Sequence, residues 1–201
     1  MAILNTKEAW GLIITRFLLD PVFYFIMFWI PKYLSEVRSV SFERIGELFW
    51  IPFLALGVSN MIGGLLSDKL ISLGVSVNNA RKSIMGVAAA VTMLTALTPV
   101  VSSAEIAIFL ITLFMFAHGF WITNYITITS EVFGKNGTST VVGIAGTGGA
   151  VAGMIVNPFI GKVIEIYSYI PLWILTGILY PIGFIVLITM IPRIKEILIK
   201  S

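Results

Sequence analysis

Six stretches of roughly twenty or more mostly apolar residues, joined by short polar connections, constrain this chain more than any other feature. A helix rises about 1.5 Å per residue, so each stretch is long enough to cross ~30 Å of hydrocarbon. They run near Trp10–Tyr33, Glu47–Ser67, Ser83–Val101, Ile106–Ser130, Thr140–Val163 and Ile170–Ile191. Lipid offers no hydrogen-bond partner, so a spanning segment must satisfy its own backbone, and stretches of this length do so as helices. Charged residues make up 11% of the chain and the mean hydropathy is +1.00. Soluble domains carry about a quarter charged residues, which excludes a soluble fold. The expectation is an all-α membrane protein with six transmembrane helices in a single domain over 1–201.

Basic residues set the orientation. With the N-terminus in the cytoplasm, Lys7, Lys69, Arg81, Lys82, Lys135, Arg193, Lys195 and Lys200 lie inside, against Lys32, Arg38, Arg44 and Lys162 outside. The positive-inside rule then predicts both termini in the cytoplasm and an even number of spans in the cell membrane. The stretch Met1–Lys7 is too short and polar to begin a cleaved signal, so the first apolar segment is read as a true span. The net charge of +3 is small and scattered near helix ends, which argues against a nucleic-acid partner. There is no cysteine and one histidine, so thiolate and histidine-cluster metal sites are excluded, and no cofactor is expected. No nucleophile–base set or paired catalytic carboxylates appear, and the glycines at 143–153 precede no phosphate-binding lysine, which leaves an enzyme without residues to carry it.

Glycines cluster where helices should approach closely: Gly57, Gly63 and Gly64 in the second span, and Gly143, Gly146, Gly148, Gly149 and Gly153 in the fifth. Gly149 and Gly153 form a GxxxG, which is either ordinary close packing or a helix that slides or bends in use. Pro21, Pro158 and Pro181 fall inside spans as candidate kink sites.

Arg16, Asp20 and Tyr24 recur every four residues and so share one face of the first span. Charges at that depth are costly unless they face a cavity or each other. They either neutralise one another as a buried brace or leave Arg16 to bind an anion. In the fourth span His118, Trp121, Thr123, Asn124, Tyr125, Thr127 and Thr129 make a polar and aromatic run; an aromatic plane beside hydroxyl and amide donors suits a sugar-like ligand. The threonines can equally bond their own backbone four residues back, and His118 can be an interior histidine with a local partner. Asn157, before Pro158, carries an amide that needs a partner in hydrocarbon, either a ligand or a neighbouring helix.

The connection after the second span reads Gly64-Leu-Leu-Ser-Asp68-Lys69, followed by Arg81-Lys82. It resembles the cytoplasmic signature loop of the major facilitator superfamily, spaced as in its anion:cation symporter family. Thr15-Arg16-Phe17-Leu-Leu-Asp20-Pro21 and Phe28-Trp29-Ile30-Pro31-Lys32-Tyr33-Leu34 are similar to the seventh helix of hexuronate-type members. Glu131-Val132-Phe133 and the glycines of 143–153 are similar to the tenth and eleventh helices. The resemblance implies that the six helices form one half-bundle, helices seven to twelve, of a 12-helix fold. It implies a gating role for Gly64, Asp68, Lys69, Arg81 and Lys82, in which a charge latch makes and breaks during alternating access.

Members of that family place a substrate-contacting polar residue fifteen residues before the seventh-helix proline, here Arg16 before Pro31. A guanidinium grips a carboxylate through two parallel hydrogen bonds, so a hexuronate or related sugar acid is the substrate the resemblance implies. By helix it also implies substrate contacts for Trp121, Thr123, Asn124 and Asn157; Tyr24, on the Arg16 face of the first span, is counted with them as substrate-binding. The family's proton-coupling carboxylates belong to the first six helices. The implied activity, proton- or cation-coupled symport of an organic anion, therefore requires a second six-helix half as partner. The alternative is a structural or vestigial membrane fragment without transport of its own.

Overall fold

The computed structural model describes residues 2–197; Lys200, counted above for orientation, lies outside the described residues. The described residues form six α-helices. They are α1 (Lys7–Glu36), α2 (Phe42–Leu48), α3 (Trp50–Ser72), α4 (Val77–Thr92), α5 (Ala104–Tyr167) and α6 (Ile170–Met190). A 3₁₀ turn, Met93–Leu97, extends α4. Taking α2 with α3, five of these are long and apolar enough to cross a bilayer. Thr6, Ser41, Ser76 and Ser103 start α1, α2, α4 and α5 by accepting a backbone N–H three residues on, which satisfies one of the open donors of each first turn.

At 64 residues α5 would be about 96 Å long if straight, some three times the hydrocarbon thickness. It breaks at Gly134, whose φ of 57° and ψ of −166° belong to a region that only glycine enters cheaply. The two arms, 104–133 and 135–167, lie along α1 in opposite senses. On the first arm Tyr125 meets Leu12 and His118 meets Phe23, while on the second Gly148 meets Ile13 and Gly161 meets Trp29. Where the sequence suggests a connection between Ser130 and Thr140, the backbone stays helical on both sides of one reversed residue. With the two arms counted separately the described residues make six passes of the bundle.

One end of the bundle gathers Asp68, Arg81, Glu131 and Ile191; the other gathers Glu36, Arg38, Thr98 and Tyr169. The α4 helix begins at Val77, earlier than Ser83, because the polar turn Asn78–Lys82 is capped by Ser76 and pinned by its side chains. The core lies among α1, the first arm and α6, where Trp121, Trp173, Tyr33, Tyr125, Tyr180 and Phe114 are fully buried. The α3 helix presents a stripe of small residues, Ser59, Gly63 and Ser67, to the first arm, and a Cβ on Gly63 would lie 3.1 Å from the Phe120 backbone. Its other side is exposed, with Met61, Leu65 and Leu54 more than half accessible, as are Met154 and Phe159 on the second arm. Exposed apolar surface of this kind is favourable against lipid or another apolar helix face and costly against water.

Candidate functional site

The four-residue spacing of Arg16 and Asp20 brings them together on α1. Arg16 Nε lies 2.8 Å from each Asp20 carboxylate oxygen, and Nη2 lies 2.7 Å from Oδ2. Nη1 makes no hydrogen bond among the described residues. The Arg16 side chain is 21% exposed and that of Asp20 10%, so the cation reaches the open side of the pair and the anion is sealed beneath it. The guanidinium carbon sits 5.9 Å from the centre of the Tyr125 ring, whose hydroxyl donates to the Leu12 carbonyl at 3.0 Å. The Tyr125 ring thus lies beside the guanidinium on the first-arm side.

The second arm closes the opposite side. A Cβ on Gly149 would collide with the Asp20 carboxylate, and one on Gly153 with the Tyr24 ring. The GxxxG pair therefore makes room for two polar side chains of α1. Above it opens a pocket of about 420 Å³ lined by Tyr24, Phe28, Gly153, Met154, Asn157 and Pro158. Asn157 Oδ1 accepts a hydrogen bond from Trp29 Nε1 at 2.7 Å. The Tyr24 phenol and the Asn157 amide thus line one pocket between α1 and the second arm, and the Arg16–Asp20 pair lies on the same face of α1 beneath it. Such a set can hold a carboxylate at one end and hydroxyl groups at the other.

The other predicted contacts lie elsewhere on the first arm. Trp121 is buried edge-to-face against Tyr180 and Phe184 of α6, with ring centres 5.5 and 6.3 Å away. Thr123 donates to the backbone and side-chain oxygens of Asn60 in α3. The Asn124 amide donates to Phe120 O at 2.9 Å and Gly63 O at 3.3 Å. The structure places Tyr24 and Asn157 in one pocket with the Arg16–Asp20 pair on the same α1 face below it, and sets Trp121, Thr123 and Asn124 at helix–helix contacts. His118 has a partner that its sequence neighbours do not suggest: Nδ1 is 2.6 Å from the Tyr180 hydroxyl, and the ring stacks on Phe23. Thr127 and Thr129 return their hydroxyls to the backbone four residues back. Trp29, which holds the Asn157 side chain, is the residue that sequence reasoning misses; five residues beyond Tyr24, it is off the Arg16 stripe, and only the course of the second arm brings it to Asn157.

At the end of the bundle carrying Asp68, Arg81 is 7% exposed and joins three elements. Its Nη2 lies 2.9 Å from Asp68 Oδ1 and 3.1 Å from Glu131 Oε1, and Nη1 donates to the Ser67 hydroxyl. Asp68 is well exposed and adds little energy, whereas Glu131 is three-quarters covered and depends on this partner. Lys82 Nζ donates to the Ile191 and Pro192 carbonyls, capping the end of α6. Gly64 packs 3.5 Å from the Thr123 methyl if given a Cβ, and Lys69 is exposed. The α3–α4 turn and the Gly134 reversal are thereby clasped by one guanidinium.

Comparison with known proteins agrees with this architecture. The pattern of the Major Facilitator Superfamily matches residues 1–157. The hexuronate transporter of Escherichia coli K12 is 25% identical over 192 residues, covering 95% of this chain and 44% of that protein. A protein of the same strain named "probable galactarate/D-glucarate transporter" is 26% identical over 174 residues, covering 83% of this chain and 38% of its own length. A chloroplastic ascorbate transporter of Arabidopsis thaliana is 34% identical over 80 residues, which is 40% of this chain and 15% of that protein. The chain spans less than half the length of these relatives.

Proposed function

The chain belongs to the Major Facilitator Superfamily, a family of multi-pass membrane transporters and not of enzymes, and on that premise we propose that it is one six-helix half of an organic-anion transporter for hexuronates or related sugar acids. The observation that carries the reading is Arg16: a guanidinium inside a spanning helix, paired with Asp20 and retaining a donor, on the α1 face whose next polar residue, Tyr24, opens a pocket shared with Asn157. The names of the relatives support the substrate class, since hexuronates and glucarate are carboxylates bearing several hydroxyls.

The mechanism is alternating access. Exposed apolar surface on α3 and the second arm would be covered by a second six-helix half, which would also close the pocket beside the second arm. Substrate carboxylate bridges to Arg16 while its hydroxyls meet Tyr24 and Asn157. Asp20 keeps the guanidinium oriented, so the anion binds a preorganised donor. The Arg81 clasp opens and closes as the halves rock, and transport is coupled to a proton or another cation through carboxylates of the other half. The protein works in the cell membrane with both ends of this chain in the cytoplasm.

The test is a mild-detergent pull-down of the tagged chain from its native membranes, with mass spectrometry of what stays bound. The reading expects a second six-helix half, joined or separate, with carboxylates inside its spans. Recovery of this chain alone as an unstable monomer sinks it in favour of a fragment without transport.

A further inference from the structure

The pocket between α1 and the second arm contains a side-chain contact that the anion site does not require. Trp29 Nε1 donates to Asn157 Oδ1 at 2.7 Å across the two helices. An indole N–H can only donate, so this bond decides which way the Asn157 amide faces: the oxygen is held by Trp29 and the NH₂ remains for another partner. The indole is itself seated, because Gly161 leaves it room; a Cβ there would come within 3.3 Å of the ring. Lys32 Nζ, 5.4 Å from the ring centre, lies over its face.

The next residue adds an acceptor. Pro158 has no N–H to offer the Met154 carbonyl one turn back, and Met154 and Asn157 both line the pocket. Tyr24 supplies a hydroxyl that donates and accepts. Donor, acceptor and amphoteric groups in one small pocket match a polyol, each of whose hydroxyls gives one hydrogen bond and takes others. A hydroxyl-free carboxylate can accept from the amide and the phenol but has nothing to give the Met154 carbonyl.

We propose that Trp29 is a positioning residue that fixes the Asn157 amide as a donor to the substrate's hydroxyls, and so makes the site selective for hydroxylated acids over bare ones. This rests on the sugar-acid reading above. Trp29 does not touch the substrate; it acts through Asn157.

The experiment uses this chain together with its companion half in proteoliposomes, with radiolabelled D-galacturonate as substrate and cyclohexanecarboxylate as a hydroxyl-free competitor. Trp29→Phe keeps an aromatic ring but loses the N–H. It raises KM for galacturonate about tenfold, the effect of one lost hydrogen bond, with the maximal rate within about twofold and inhibition by cyclohexanecarboxylate unchanged. In an Asn157→Ala background the same change has no further effect, which a merely structural role would not produce. Asn157→Asp keeps an oxygen for Trp29 and replaces the donor amide by an acceptor, so it raises KM at least as much. Normal KM in Trp29→Phe, or an undiminished effect in the Asn157→Ala background, overturns the assignment alone. Failure of the unaltered protein to take up galacturonate overturns the sugar-acid reading, and the assignment falls with it.

Discussion

Replacing Gly149 by alanine sets one methyl group against the anion of the buried pair. The new Cβ falls where the Asp20 carboxylate lies, and that carboxylate is held at 2.8 Å by Arg16 Nε through both oxygens. Asp20 cannot withdraw without giving up its cation, so the second arm must back away from α1. Forcing an extra carbon into a packed contact costs about 1–3 kcal/mol. A chain of this size loses about 2–4 °C of Tm per kcal/mol, so the midpoint of this chain by itself in detergent falls by roughly 2–12 °C. The same arm contains its own controls. A Cβ on Gly143 or Gly146 meets nothing within 4 Å, so Gly143→Ala and Gly146→Ala change only helix propensity and raise stability by about 0.5–1 kcal/mol. A Gly149→Ala midpoint equal to or above those of the two controls would refute the packing argument. So would a Gly149→Ala penalty that persists undiminished beside Asp20→Ala, which removes the obstructing group.

Three further outcomes follow from the same contacts. Asp20→Asn leaves Arg16 without its counter-charge and costs about 3–5 kcal/mol, seen as a lower midpoint, whereas replacing the pair together by Met and Leu is much less damaging. Arg81→Ala strips Glu131, Asp68 and Ser67 of their shared donor and speeds proteolysis in the α3–α4 turn and near Gly134, with Arg81→Lys intermediate. Arg38→Ala removes bonds of 2.5 Å to both the Thr98 and the Val101 carbonyls, and hydrogen exchange at 98–103 accelerates by about tenfold or more.

Helical spacing alone places Arg16, Asp20 and Tyr24 on one stripe, and the ion pair and the Tyr24 pocket lie where it puts them. Spacing does not say which neighbour each stripe meets. Trp121, Thr123 and Asn124 share a polar run with the right chemistry for a sugar, but α6 takes up Trp121 and α3 takes up the other two. The Thr123 hydroxyl and the Asn124 amide nitrogen serve backbone contacts that only the packed bundle reveals, while Asn124 Oδ1 is buried with no partner among the described residues. The reversal at Gly134 is also hidden, because a single left-handed residue leaves no run of loop-forming residues behind it. Hydropathy places the third span at Ser83 because Asn78, Asn79, Arg81 and Lys82 are polar. Their helix is held by Ser76 and by bonds to 191–194, which hydropathy does not register. Glycine spacing marks a close approach in the second arm without revealing that an aspartate and a tyrosine occupy it.

The central claim is that Arg16 holds the carboxylate of a sugar acid in a groove completed by a second half. It is tested most directly by radiolabelled D-galacturonate uptake into proteoliposomes containing this chain with its companion half, comparing Arg16 with Arg16→Lys and Arg16→Ala. The account predicts saturable uptake, reduced about tenfold or more in kcat/KM by lysine, which cannot form the two parallel hydrogen bonds, and abolished by alanine. Uptake that survives Arg16→Ala with unchanged KM would contradict it.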